Sequence, residues 1–270
     1  KEMKAVDNSL PIAICNGDLL FSDIIAKECT DIDILGINTY RGLTFTDLYD
    51  KAKKEINKPV MLTEFGADAY NTQANSEDQE YQAKVLVSNW KEIYANAAGM
   101  GKNGNSIGGF TFQFSDGWWK TGQTTNLDEH DAAASWANGR YLNDYKEGEN
   151  NMNEEWFGIC SKGATNERGT YQLYPRAAYY ALKEVHQFNP YNAEAKAQIN
   201  HLDNIQMADA VLRARGDKAA MQGEDKGKLY LSDLQANFTT YSTGGSLIST
   251  PKQNEPVVPD NFPNRLGFDH

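Results

Sequence analysis

A short apolar run that ends in a carboxylate is the most informative part of the chain: Pro59-Val60-Met61-Leu62-Thr63-Glu64-Phe65-Gly66-Ala67-Asp68. Its apolar residues are too few for a helix and too continuous for a half-exposed strand, so they predict a strand buried on both faces, as in a parallel sheet. A carboxylate is costly at the end of such a strand unless it is paired or used. Glu64 is therefore either the partner of a basic side chain or a functional group.

Two other segments have the same form. Residues 33–40 (DILGINTY) precede Glu64, and residues 107–116 (IGGFTFQFSD) follow it. Each predicts a buried strand that ends in polar and aromatic side chains. Because parallel α/β folds place their active sites at the carboxyl ends of the strands, the three strand ends together favour a functional Glu64.

Strand and helix patterns alternate along the first two thirds of the chain. A first strand is predicted over residues 11–15, and helices are predicted over about 20–29, about 46–56, from a capping box of Ser76 and Gln79 to the glycines near 99, and from Pro175 through Val185. Four βα units in this order predict a parallel α/β fold with all strand carboxyl ends on one side.

Four strands are too few to close a (β/α)8 barrel. The chain is therefore either one half of such a barrel, with the other half before Lys1, or an open doubly wound sheet. No G-x-G-x-x-G or P-loop motif follows the first strand, which disfavours a nucleotide-binding open sheet. Residues 1–190 are expected to form the α/β unit, residues 191–227 a polar helix ending near Arg215 and a charged linker, and residues 228–270 an extended, proline-rich tail.

Composition narrows the range of partners. The 270 residues are 40% hydrophobic, enough for a sizeable core, and carry a formal net charge of -11. That charge argues against nucleic acid or an anionic membrane surface, and no apolar stretch is long enough to span a bilayer. The three cysteines and four histidines lack metal-ligand spacing, so neither a metal nor another cofactor is predicted.

Several polar and aromatic residues lie near the predicted strand ends. Asn16 and Asn38 are candidate hydrogen-bonding partners of a ligand or turn formers, and Asp18 and Asp116 are candidate ligand-binding residues or structural capping acids. The long loop from Asp116 to about Glu155 contains Trp118 and Trp119, which either stack on a ligand or form the core of the loop.

The order of these strand ends resembles strands six, seven and eight of the barrel in glycoside hydrolase clan A, and most of all the family 2 β-glycosidases. The resemblance covers roughly residues 1–188 and implies that the chain supplies the second half of a (β/α)8 TIM barrel, strands five to eight, with a helical and loop-rich extension. It implies that Glu64 is the catalytic nucleophile and that Tyr40 hydrogen-bonds it. Phe112 stands where the family usually has a tryptophan under the sugar.

The resemblance also implies a reaction. A retaining glycosidase uses two carboxylates about 5 Å apart, one as nucleophile and one as acid/base. The family's acid/base ends strand four, which would lie upstream of Lys1 with the remainder of the barrel. Within the chain, Asp18 and Asp116 are the candidates for the second carboxylate. The resemblance otherwise implies that the ligand contacted by the polar and aromatic strand-end candidates is a sugar: Asn16, Asp18, Asn38, Phe112, Asp116, Trp118 and Trp119.

The leading hypothesis is a retaining β-glycosidase or a transglycosylase acting on an oligo- or polysaccharide, a substrate class that favours a periplasmic or extracellular location. A second hypothesis is a carbohydrate-binding protein that keeps the barrel's groove without turnover. A third is an assembly segment with a vestigial groove, whose tail is the active part.

Overall fold

A computed structural model describes residues 2–117, 130–165 and 167–223 of the chain. The helices are α1 (Glu2–Val6), α2 (Ser22–Glu28), α3 (Leu48–Glu55), α4 (Gln79–Ala95), α5 (Ala177–Val185), α6 (Ala195–Gln198) and α7 (Met207–Gly223). The strands are β1 (Ala13–Gly17), β2 (Ile34–Asn38), β3 (Val60–Phe65), β4 (Tyr70–Asn71), β5 (Ser76–Glu77), β6 (Ser106–Thr111), β7 (Cys160–Thr165) and β8 (Tyr171–Pro175).

The fold is mixed α/β, built on a four-stranded parallel sheet of order β1-β2-β3-β6. The prediction that these four strands are adjacent and parallel in chain order is confirmed. Their carboxyl ends therefore lie on one side, and Tyr40 follows β2 while Glu64 lies near the end of β3.

The two faces of the sheet differ. One face is packed against the helices, with Leu35, Ile37 and Leu62 at or near zero exposure. The opposite face carries Cys15 and Thr63, whose Sγ and Oγ1 atoms lie 3.2 Å apart. Exposed side chains occur on both edge strands: Ala13 and Cys15 in β1, Ile107 and Phe110 in β6. The sequence predicted strands buried on both faces, whereas the described part of the chain covers one face of this sheet.

The start of α4 differs from the prediction. Ser76 does not cap this helix; it lies in β5 and pairs with Asn71 of β4 in a two-stranded antiparallel ribbon. The N-cap is Asp78, whose Oδ1 accepts a hydrogen bond from the Tyr81 amide at 3.0 Å. Both Ser and Asp are good N-cap residues. Ser76 cannot cap the helix because it is held in the ribbon.

A second ribbon was not predicted. β7 and β8 pair antiparallel between the long loop and α5. Pro175 ends β8 instead of starting the helix, and Arg176 is the N-cap residue of α5. The guanidinium of Arg176 is 1% exposed and binds both carboxylate oxygens of Asp116, at 2.6 and 2.8 Å, and Oε1 of Glu77 at 2.7 Å.

The polar segment after residue 191 was predicted as one helix but forms three: α6, a short 3-10 helix over Ile199–Asn204, and α7. α7 continues through Arg215 and Gly216, and the sequence predicted that the linker would begin at Gly216. This region packs on the α/β unit, since Val211 and Ala214 of α7 belong to its core. Residues 224–270, with the predicted tail, lie outside the described residues.

Gly66 allows two strand ends to approach each other. A Cβ atom at this position would lie 2.1 Å from the carbonyl oxygen of Phe112 and 3.7 Å from Cε1 of Tyr40. The carbonyl oxygen of Gly66 also accepts a hydrogen bond from Tyr141 Oη at 2.5 Å. Only a residue without a side chain fits between these groups.

We expect Gly66→Ala to destabilise the protein by about 1–3 kcal/mol, because the backbone at Phe112 has to move to admit the methyl group. Gly216→Ala is the matched control, since a Cβ there would meet nothing within 4 Å. In the helix interior that control is expected to be neutral or stabilising by up to about 1 kcal/mol. Urea denaturation of both variants measures the difference, and equal midpoints would contradict the expectation.

Candidate active site

Glu64 lies where the pairing of β2 and β3 changes register. Ile37 pairs with Leu62, but Asn38 pairs with Glu64, so Thr63 is an extra residue on β3. Such a bulge changes the direction of side chains near the end of a strand. The bulge was not predicted, because the sequence pattern indicates how side chains alternate along a strand but not which residues of the neighbouring strand they pair with.

Tyr40 and Glu64 are in contact. Tyr40 Oη donates a hydrogen bond to Glu64 Oε2 at 3.2 Å, across the ends of neighbouring strands. Burial, the charge of Glu64 and this hydrogen bond raise the pKa of Tyr40 above its ordinary value. The phenol therefore stays protonated and remains a donor to the carboxylate.

The carboxylate of Glu64 is half-buried and lacks a cationic partner in the described part of the chain. The nearest arginine in sequence, Arg41, instead binds Asp18 and Asp47. Among the described residues, then, the simplest non-functional explanation of Glu64, an ion pair with Lys or Arg, does not apply.

A second polar group lies beside Glu64 on the open face of the sheet. Asn38 Oδ1 accepts hydrogen bonds from Thr63 Oγ1 at 2.6 Å and from Cys15 Sγ at 3.2 Å. Its amide nitrogen has no hydrogen-bond partner within the described ranges. Asn38 is thus positioned to donate to a bound molecule.

Asn16 and Asp18 have structural partners in the turn after β1. Asn16 Nδ2 donates to the carbonyl oxygens of Leu20, at 2.6 Å, and Asp18, at 3.2 Å. Burial acts to raise the pKa of Asp18, but hydrogen bonds from Arg41, Thr39 and the Leu19 amide lower it by more. An ionised Asp18 bound to Arg41 is a poor proton donor, so we do not retain it as the acid/base candidate.

Of the two roles predicted for Asp116, sugar ligand or structural acid, its surroundings favour the structural one. Its side chain is fully buried, and it accepts hydrogen bonds from Arg176 and from the Gly158 amide at 3.0 Å. A sugar hydroxyl cannot reach a carboxylate buried in this way. We therefore assign Asp116 to the buried ion cluster with Arg176, because the two side chains satisfy each other.

The aromatic residues predicted at the site are Phe112, Trp118 and Trp119. Phe112 is half-buried and packs edge-on against Phe157, with ring centroids 6.2 Å apart, in the cluster that also includes Tyr40. Trp118 and Trp119 lie outside the described residues.

The residues that surround Tyr40 were not predicted from the sequence. The Tyr40 ring contacts Trp136 edge-on at 6.1 Å and Phe157 at 5.6 Å between centroids, and Asn138 Nδ2 donates to its carbonyl oxygen at 2.9 Å. Trp136 and Asn138 come from the long loop, where no periodic pattern marks a position. The only sequence signal was the aromatic content of that loop.

The described residues contain neither a metal site nor a membrane-spanning helix. Within residues 2–117, 130–165 and 167–223, no group of three His, Cys, Asp or Glu side chains is arranged to hold a metal ion. Across those same ranges, none of the helices has the length and apolar character needed to cross a membrane.

Comparisons with known proteins gave structural neighbours only. No family model matches the chain, and no curated protein matches it. Solved structures similar to it include a family 2 glycoside hydrolase, a β-galacturonidase from Eisenbergiella tayi bound to galacturonate, with 20% identity over 68% of this chain and a TM-score of 0.38. They also include a Ruminococcus gnavus β-glucuronidase (17% identity, 66% of this chain, TM-score 0.38) and a family 39 β-xylosidase from Caulobacter crescentus (13% identity, 69%, TM-score 0.36).

The chain matches only a small part of these proteins: 28% of the first, 26% of the second and 34% of the third. All three are glycosidases. At these identities and TM-scores the neighbours carry no argument about function, which rests on this chain's own residues.

Proposed function

We propose that the chain is part of a retaining glycoside hydrolase that cleaves β-linked oligo- or polysaccharides by double displacement, with Glu64 as nucleophile. The observation that carries the proposal is the Tyr40–Glu64 hydrogen bond at the carboxyl ends of two neighbouring parallel strands. A half-buried carboxylate held by a neutral donor, and paired with no described cation, keeps its electron pair available for attack.

In the first step a carboxylate oxygen of Glu64 attacks the anomeric carbon while the bond to the leaving oxygen breaks. The leaving oxygen takes a proton from a second carboxyl group about 5 Å away. In the second step that group removes a proton from water, which attacks the same carbon and releases Glu64. Tyr40 orients Glu64, and Asn38 is positioned to bind a hydroxyl of the sugar.

The proton donor belongs, in this proposal, to the rest of the barrel. Parallel sheets normally have both faces covered, whereas here Ile107 is 47% exposed and Phe110 is 62% exposed on the edge strand β6. Further strands of the whole protein that pair with β1 and β6 would cover these side chains and close a barrel. Such strands would also bring the acid/base carboxylate to the side where Glu64 lies.

A mechanism-based label tests the nucleophile in the complete protein. A 2-deoxy-2-fluoro β-glycoside with a good leaving group accumulates as the glycosyl-enzyme, because fluorine slows both displacements and the good leaving group restores the rate of the first one only. We expect peptide mass spectrometry to find the sugar on Glu64. A label on Asp18 or another carboxylate would overturn the assignment.

A further inference from the structure

We propose that Trp136 is a positioning residue of the active site, acting through Tyr40 on Glu64. This inference rests on the proposed function, since it concerns the geometry of the nucleophile. Trp136 belongs to a group of loop residues, 135–138, 151–154 and 157, that we call the clasp because Trp136, Asn138 and Phe157 contact Tyr40.

The hydrogen bond that holds Glu64 is sensitive to small displacements. At 3.2 Å, the distance from Tyr40 Oη to Glu64 Oε2 is already longer than the usual range of an O–H···O bond. A shift of the phenol away from the carboxylate by a few tenths of an ångström would therefore break it. Whatever fixes the Tyr40 ring also fixes the orientation of Glu64.

The clasp supplies most of what fixes Tyr40. The Trp136 ring lies at 78° to the Tyr40 ring, an edge-to-face arrangement with 6.1 Å between centroids. Asn138 donates to the Tyr40 backbone, and the buried Phe157 contacts the ring at an angle of 47°. Phe157 is a core residue at 1% exposure, whereas Trp136 is half-buried and reaches Tyr40 from the loop.

Trp136 is itself held at both its backbone and its indole. Its carbonyl oxygen accepts hydrogen bonds from the Met152 amide at 2.9 Å and the Asn151 amide at 3.0 Å. Its indole Nε1 donates to Glu154 Oε1 at 2.9 Å. A side chain held in this way transmits a fixed position to its neighbour, so the contacts run from Glu154 through Trp136 and Tyr40 to Glu64.

A double-mutant cycle on the complete protein separates positioning from ordinary structural support. The variants are Trp136→Ala, Tyr40→Phe and the double variant, assayed with the 4-nitrophenyl β-glycoside that the wild-type protein cleaves best. We expect Trp136→Ala to lower kcat roughly 2- to 12-fold, the rate equivalent of an edge-to-face aromatic pair, with KM little changed. In the Tyr40→Phe protein, which lacks the hydroxyl, Trp136→Ala should change kcat less than about 2-fold.

Two conservative variants complete the test. Trp136→Phe keeps an aromatic edge against Tyr40 and should recover most of the activity lost in Trp136→Ala, which also covers the case in which the alanine variant folds poorly. Trp156→Phe is the matched control, because its indole donates to the Asp131 carbonyl in the same loop and it has no ring contact with Tyr40. We expect this control to keep wild-type kcat.

The proposal is overturned if Trp136→Ala lowers kcat equally with and without the Tyr40 hydroxyl, or if it raises KM alone. The first result means a general structural role, and the second means direct contact with the sugar. Failure of the proposed function has a different signature, because Glu64→Gln would then remain active. If Glu64→Gln is inactive but the effects of Trp136→Ala and Tyr40→Phe on kcat are additive, the positioning role of Trp136 is rejected and the proposed function stands.

Discussion

Replacement of Glu64 by glutamine in the complete protein is expected to lower turnover of β-glycosides by at least about three orders of magnitude, while folding and sugar binding are retained. The amide keeps the shape of the side chain and still accepts the hydrogen bond from Tyr40, but it is not a nucleophile. No other described side chain at this strand end has a free carboxylate in the same position, since Asp18 is bound to Arg41 and Asp116 to Arg176.

A matched control is available in the same unit. Glu55 is an exposed carboxylate at the end of α3, before the start of β3, and its Oε2 accepts a hydrogen bond from Ser22 Oγ. Glu55→Gln removes the same charge with the same change of shape, and we expect it to leave kcat and KM unchanged. Loss of activity in both variants would point to net charge or stability instead of chemistry.

Chemical rescue adds a sharper test of the role. In Glu64→Ala, azide fits the space left by the side chain and attacks the anomeric carbon of a 2,4-dinitrophenyl β-glycoside, whose leaving group departs without a proton. The expected product is the α-glycosyl azide, because a single displacement inverts the configuration. A β-glycosyl azide would mean that the nucleophile is intact and that Glu64 is the acid/base. Wild-type turnover in Glu64→Gln would reject Glu64 as a catalytic residue.

The part of this site that the sequence predicted is the part determined by parallel strands. Tyr40 and Glu64 are 24 residues apart, yet both follow apolar runs that form adjacent strands, so their proximity follows from strand order alone. Asn38 lies at the same end of the sheet for the same reason. Chain order, apolar runs and polar strand ends are enough to predict this much.

The remaining features depend on contacts between distant, non-periodic segments. The role of Asp116 was left open between sugar ligand and structural acid, because its sequence neighbourhood does not show Arg176, 60 residues later, with which it pairs. Trp136 lies in a loop whose path is set by tertiary contacts, and nothing in its local pattern indicates that it meets Tyr40. The bulge at Thr63 is a register effect of the same kind.

Removal of the Asp116 carboxylate is expected to have the largest effect on stability. Asp116→Ala leaves the fully buried Arg176 with Glu77 as its one charged partner among the described residues, and we expect the free energy of unfolding to fall by about 3–5 kcal/mol. Asp203→Ala is the matched control: Asp203 pairs with Lys91 at the surface, with side-chain exposures of 60% and 27%, and its loss should cost at most about 1 kcal/mol. Urea denaturation with unchanged m-values gives both numbers.

Asp116→Ala is expected to cost more stability than Asp203→Ala because it leaves the buried guanidinium of Arg176 without water and without its main partner. If the loss in Asp116→Ala comes from an uncompensated guanidinium, then removing Arg176 as well should restore stability. We expect the double variant Asp116→Leu, Arg176→Met to be more stable than Asp116→Ala by at least about 1 kcal/mol, because apolar side chains of similar length fill the space without a buried charge. A sugar-binding Asp116 would behave differently: Asp116→Ala would raise KM, unfold at the wild-type urea concentration, and gain nothing from the second substitution.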